Sequence, residues 1–259
     1  MRSRLWLPII GVLMTVVPVT VASPYTIANS QLARIDLRTS TLEMIGTASF
    51  GSVTCLEYSE EGFLFGIDAQ SDTLIRIDPQ TAASETIGPL GVDFGYGVGD
   101  LAEDGAGQLW YLAEGELYRI DRVTGNANHE CQGASPDLHG LTFLDGRLVT
   151  SSGLYMPPEP GCGLEYVGVG SGSIATGPDG RIYWIYITTV PWDPFFIIAR
   201  FDPDSGTRQD LFISRTGLEG LAVAPGQLLM PIPGLGPVGT AILIVLTAAA
   251  AVFLLRRVS

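Results

Sequence analysis

One phrase recurs four times along this 259-residue chain. Leu32-Ala33-Arg34-Ile35-Asp36, Leu74-Ile75-Arg76-Ile77-Asp78, Leu117-Tyr118-Arg119-Ile120-Asp121 and Ile198-Ala199-Arg200-Phe201-Asp202 share an apolar/Arg/apolar run closed by Asp. The first three copies start 42 and 43 residues apart, and the fourth lies 81 beyond the third, about two periods. Short alternating strands repeated about every 40 residues are the signature of a ring of β-sheet blades, a β-propeller.

A second phrase sets the register. Apolar residues, a tight polar turn and a further strand begin at Leu56, Leu101, Leu141, Ile174 and Leu221. Gly62, Gly107, Gly146, Gly180 and Gly226 stand at their turns, where a hairpin needs positive φ. Each copy predicts the inner hairpin of one blade. The Arg-Ile-Asp strand follows as the third strand, and Met44-Ile45-Gly46 or Thr86-Ile87-Gly88 ends the fourth. The fifth hairpin has no outer strands behind it, and the first Arg-Ile-Asp strand has no hairpin before it. Pairing the two chain ends makes one complete blade and removes an open edge. The expected fold is therefore all-β: a five-bladed β-propeller closed by its N- and C-terminal strands, with a single C-terminal transmembrane helix. The irregular unit from Leu141 to Gly172 is the weakest blade. A two-sheet sandwich is the competing architecture.

The ends read differently from the body. Residues 1–22 carry Arg2 and Arg4, an apolar run from Leu5 to Val21, then Ala22, the order of a secretory signal peptide. Residues 23–230 form the propeller domain. Residues 231–259 hold the uncharged run Val238 to Leu255 and then Arg256 and Arg257. At about 1.5 Å per residue, that run spans roughly 27 Å as a helix, near the thickness of a bilayer core. Arginines after it place the domain outside the cytoplasm.

Ile232-Pro233, Leu235, Gly239 and the pair Arg256-Arg257 resemble the IPTL-type and PEP-type C-terminal sorting signals of exported Gram-negative proteins. The resemblance covers residues 231–257 and implies processing by an exosortase-class membrane protease. Gly234 stands where that pattern has Thr. A plain membrane anchor is the other reading of the tail. The body is similar at fold level to exported bacterial propellers of the NHL or Kelch-like kind, and that similarity carries over no residues.

All 27 acidic residues lie between Asp36 and Glu219. They face ten arginines in the propeller domain, and the chain has no lysine. Such a surface repels phosphate backbones and argues against nucleic acid as a partner. The expected partners are the membrane through the tail, the processing protease, and an extracellular protein or glycan. In an oxidising compartment Cys131 and Cys162, both in irregular stretches, are expected to form a disulfide, and Cys55 reads as a buried thiol.

Propellers bind at the channel mouth, where the residues before each innermost strand converge. Here these are Thr54-Cys55, Gly99-Asp100, His139-Gly140, Gly172-Ser173 and Glu219-Gly220. Asp100, His139 and Glu219 are the candidate ligands of a divalent cation; ordinary turn residues are the simpler reading. No nucleophile elbow, helix-opening glycine loop or His-x-x-x-His cluster is present. Asp202-Pro203-Asp204 looks like a calcium loop but lacks the downstream Glu. Trp192 and Phe195-Phe196, in a stretch that breaks the repeat, are candidates for an aromatic ridge or for burial. The function expected is an exported, surface-displayed, non-catalytic binding or scaffold module without a cofactor. The alternative is a metal-assisted lyase or lactonase-like enzyme using the channel-mouth cation.

Overall fold

The computed structural model describes residues 19–47, 49–94, 99–132, 138–152, 164–167, 169–190 and 193–228. Residues 1–18 of the expected signal peptide, the expected sorting motif of Ile232, Pro233, Leu235, Gly239, Arg256 and Arg257, and Cys162 and Trp192 lie outside the described residues. The chain divides into two units, one of Val21–Gly226 and one of its two ends. No helix among the described residues is long and apolar enough to cross a membrane.

The described residues form nineteen strands and no helix. β1 (Val19–Ala28), β2 (Gln31–Asp36) and β3 (Thr41–Thr47) belong to the first blade. The second blade is β4 (Val53–Tyr58), β5 (Leu64–Asp68), β6 (Thr73–Ile77) and β7 (Ser84–Pro89). The third is β8 (Gly99–Glu103), β9 (Leu109–Ala113), β10 (Glu116–Ile120) and β11 (Ala127–Gln132). The fourth has β12 (Leu138–Leu144), β13 (Arg147–Ser152) and the two-residue β14 (Glu165–Tyr166), which joins β13 in parallel. The fifth is β15 (Ile174–Thr176), β16 (Ile182–Val190), β17 (Asp193–Asp202) and β18 (Thr207–Ser214). β19 (Leu218–Leu228) returns to the first blade, whose order is β19-β1-β2-β3.

Five sheets make five blades, and the ring closes through the two chain ends as the repeat predicts. The stoichiometry differs from the hairpin reading. Pro225-Gly226 makes no turn, because β19 runs unbroken through it. The C-terminus supplies one strand and the N-terminus three, with β1 in the second place. The turn signal at Pro225-Gly226 loses to β1, which already offers β19 a partner edge.

Apolar burial follows the ring. Five core clusters form among the described residues, each between two neighbouring blades. Tyr111 and Leu101 pack toward the second blade, for instance, while Leu112 and Leu117 pack toward the fourth. Both faces of a blade are therefore buried. Trp110-Tyr111 and Tyr183-Trp184 are inter-blade packing, with each pair divided between two clusters.

The repeated phrase is a bulged strand pair. In all four copies the register shifts between its first two residues: Leu32/Ala33, Leu74/Ile75, Leu117/Tyr118 and Ile198/Ala199. The extra residue sits on the fourth strand, at Ile45, Ile87, Glu130 and Leu211. Ile45, Ile87 and Leu211 turn into the cores. After the bulge, a Cβ at Gly88 would lie 2.1 Å from the Thr124 carbonyl oxygen of the next blade, so only glycine allows this approach.

The Arg and Asp of the phrase have separate tasks. Arg34 and Arg76 pair with Glu43 and Glu85 directly across on the fourth strand, and Arg119 pairs with Glu130. Arg200 meets Gln209 instead. Each Asp then closes the turn by accepting two backbone N–H bonds. Asp121 takes Val123 and Thr124, and Asp202 takes Asp204 and Ser205. The Asp202 loop is thus a capped turn like those at Asp36 and Asp78.

Candidate functional site

The residues that open the innermost strands do gather at one end of the channel, but the chemistry there differs from expectation. Asp100, second residue of β8, is fully buried. Its Oδ2 accepts the N–H groups of Leu141 on β12 and Ile174 on β15, each at 3.0 Å. Its Oδ1 accepts the Ser173 hydroxyl at 3.0 Å. One carboxyl group thus holds the inner strands of three blades. Burial is the largest influence on its acidity and outweighs these donors, pushing its pKa up to about 8.

Neighbouring groups share this enclosed setting. Burial raises the Cys55 thiol and the Tyr111 hydroxyl well above their usual values, and the Asp100 charge adds to both. Burial does the same to Glu57, whose carboxyl accepts the N–H of Glu103 and so ties β4 to β8. Between the fourth and fifth blades the Thr142 hydroxyl donates to Thr176 Oγ1 and accepts the Thr176 N–H. Glycine permits this crowding where β19 meets β4. Gly220 has φ +62°, and a Cβ there would stand 2.9 Å from Leu56 N.

The three proposed cation ligands differ in their settings. Asp100 is enclosed, His139 is half-buried at the second residue of β12, and Glu219 is exposed at the second residue of β19. Among the described residues no three His, Cys, Asp or Glu side chains are placed to hold a metal ion. Cys131 is disulfide-bonded and Cys55 is a free, buried thiol. Phe195 and Phe196 are half-buried, and Phe196 packs on the core between the fifth and first blades.

What stays open is a cleft of about 190 Å³ between the first two blades, at the same end of the inner strands. Its walls include Ile27, Asn29, Ser30, Phe50, Ser52 and Glu219. Sequence reasoning found only Glu219 of these. Ile27 lies near the end of β1, and Phe50 and Ser52 lie on the loop before β4. Asn29 and Ser30 form the two-residue β1–β2 turn with φ of 50° and 61°. Such turns favour glycine at the second place, and Ser30 there costs on the order of 1 kcal/mol. The Glu219 carboxylate has no hydrogen-bond or ion-pair partner among the described residues.

No protein-family model and no curated protein sequence matches the chain. Solved structures do. A chain from the crystal structure of a nidogen/laminin complex is similar over 80% of this chain and 100% of its own, at 10% identity and TM-score 0.53. TolB from Acinetobacter baumannii is similar over 79% of this chain and 66% of its own, at 13% identity and TM-score 0.50. The likeness is one of fold. It agrees with the β-propeller built above and transfers no residue of a site.

Proposed function

We propose that this protein is an exported, non-catalytic propeller that presents its channel-mouth face to a partner outside the cytoplasm, as a binding or scaffold module. The observation that carries this reading is the state of Asp100. Its buried carboxyl group is occupied by hydrogen bonds from two other blades. It is a positioning group for the ring and is not free to take a metal or a substrate. The metal-assisted alternative needs Asp100, His139 and Glu219 to face one ion, and their placement gives it no support.

Export is supported by the leader-like residues 1–22 and by the Cys131 disulfide, a bond characteristic of oxidising compartments. A chain of like fold was crystallised in a nidogen/laminin complex, so protein association is within the repertoire of this architecture. The tail 231–259 holds the domain to the membrane or directs it to an exosortase-class protease.

Two measurements test the proposal. Protease added to intact cells digests an exported domain, and protection until lysis would overturn export. Calorimetric titration of the purified protein with calcium or zinc should show no site at the channel mouth. A tight site abolished by His139→Ala would favour the enzyme reading instead.

A further inference from the structure

The cleft beside Glu219 has features that specify its ligand, and the inference rests on the binding-module reading above. Glu219 is the one ionisable side chain in the cleft wall. The other polar groups there, Asn29, Ser30 and Ser52, all offer oxygen acceptors, and the half-buried Phe50 ring adds an aromatic surface. Oxygen acceptors, one anion and an aromatic wall favour a cation with several N–H donors. The volume of about 190 Å³ is below that of drug-sized ligand pockets and suits one side chain.

The charge pattern of the whole domain points the same way. Nine of the ten domain arginines (Arg34, Arg38, Arg76, Arg119, Arg122, Arg147, Arg181, Arg200 and Arg208) already pair with carboxylates of this chain. Positive charge is thus engaged internally, while the Glu219 carboxylate at the cleft is left without a partner. A surplus of negative charge also steers basic groups toward the surface. Ser30 adds a separate sign. A strained left-handed serine, at a turn position where glycine fits without cost, keeps a hydroxyl on the cleft wall.

The geometry points to a site for a single basic side chain, an arginine or lysine presented by a polypeptide partner. The Glu219 carboxylate would pair with the cation, the Asn29, Ser30 and Ser52 oxygens would accept its remaining N–H donors, and Phe50 would cover its stem.

Saturation-transfer NMR on the full chain in deuterated detergent tests this with three probes: N-acetyl-arginine amide, N-acetyl-lysine amide and N-acetyl-citrulline amide. The two cations should bind and citrulline, the neutral isostere of arginine, should not. Glu219→Gln should weaken the cations about tenfold or more without changing the melting temperature. Ser30→Gly should weaken them by less while raising that temperature. Equal binding of citrulline, or unchanged binding in Glu219→Gln, overturns the inference. If the face instead captures a neutral glycan, this inference fails and the binding-module reading stands. A metal-dependent turnover would sink the reading itself.

Discussion

The carboxylate of Asp100 accepts the backbone N–H of Ile174 at 3.0 Å, across 74 positions of sequence and between two blades that do not adjoin in the ring. The same oxygen accepts the Leu141 N–H of the blade between them. A single polar side chain therefore links the inner strands of three blades. That arrangement fixes the relative positions of three inner strands, and it carries a charge dependence.

The pKa of Asp100 is raised on folding, to about 8. A raised pKa means that the protonated form is favoured in the native state. Its contribution to stability is complete below the unfolded carboxylate value near 4 and is lost as pH rises through about 8. Glu57 is raised by burial and acts in the same direction. Thermal unfolding between pH 5 and 9 should show a falling midpoint, and Asp100→Asn should flatten that fall. Asp100→Ala should destabilise at every pH, by about 1–3 kcal/mol for each buried N–H left unpaired. A midpoint that stays level in the native protein would contradict this account.

The opposite sign holds at the turns. Hydrogen bonds from Val123 and Thr124 lower the pKa of Asp121, and backbone donors lower Asp36 and Asp202 likewise. Their contribution is present above the unfolded value near 4 and is lost as pH falls through the depressed folded values. Asp121→Asn keeps an acceptor for the turn and should shrink the acid-side loss. Asp121→Ala should lower the melting temperature at neutral pH as well. Parallel pH melts of the three proteins decide the point.

Arg122 joins the second and third blades. It bonds Glu103 at 2.9 Å, donates to the Gly107 carbonyl at 2.8 Å and lies over the Phe65 ring. Glu103 has a side chain only 4% exposed and also accepts from Ser59 and Glu60. Glu103→Ala leaves the Ser59 and Glu60 donors without their acceptor and Arg122 with only the exposed Glu61 as its anion. It should cost about 2–4 kcal/mol in chemical denaturation. The exposed pair Arg34–Glu43 should cost under about 1 kcal/mol when broken.

Most of the architecture was legible in the sequence because each element repeats. Four Arg-Ile-Asp strands and five inner-strand openings give the blade count and the closure, and the structure places all of them as third and first strands. The bulge within the phrase was not legible, since Ile45 and Ile87 read equally well as regular strand residues. The strand Leu218–Leu228 was misread as a hairpin because Pro225-Gly226 is a strong local turn signal that long-range pairing overrides. At the site, sequence order brought Asp100 to the mouth but could not show that its carboxyl faces Leu141 and Ile174. The cleft was hidden for a related reason: Asn29, Phe50 and Glu219 are distant in sequence and meet only through ring closure.

Cys55 is fully buried and its thiol is held well above the usual pKa by burial and the nearby Asp100 carboxyl. It should resist iodoacetamide in the native protein before and after mild reduction, whereas reduction should expose Cys131 to labelling. Mass spectrometry of the labelled peptides reads both. Rapid labelling of Cys55 in the folded protein would show that the β4–β8 contact opens.

The Asp100 link between three blades is tested most directly by the carboxyl carbon resonance of Asp100 followed from pH 3 to pH 10 in the selectively labelled protein. A structural carboxyl enclosed by three blades should titrate with a midpoint near 8, and the Leu141 and Ile174 amide protons should move on the same curve. A midpoint at or below 4, or a resonance shifted by added calcium or zinc while both amides stay still, would contradict it.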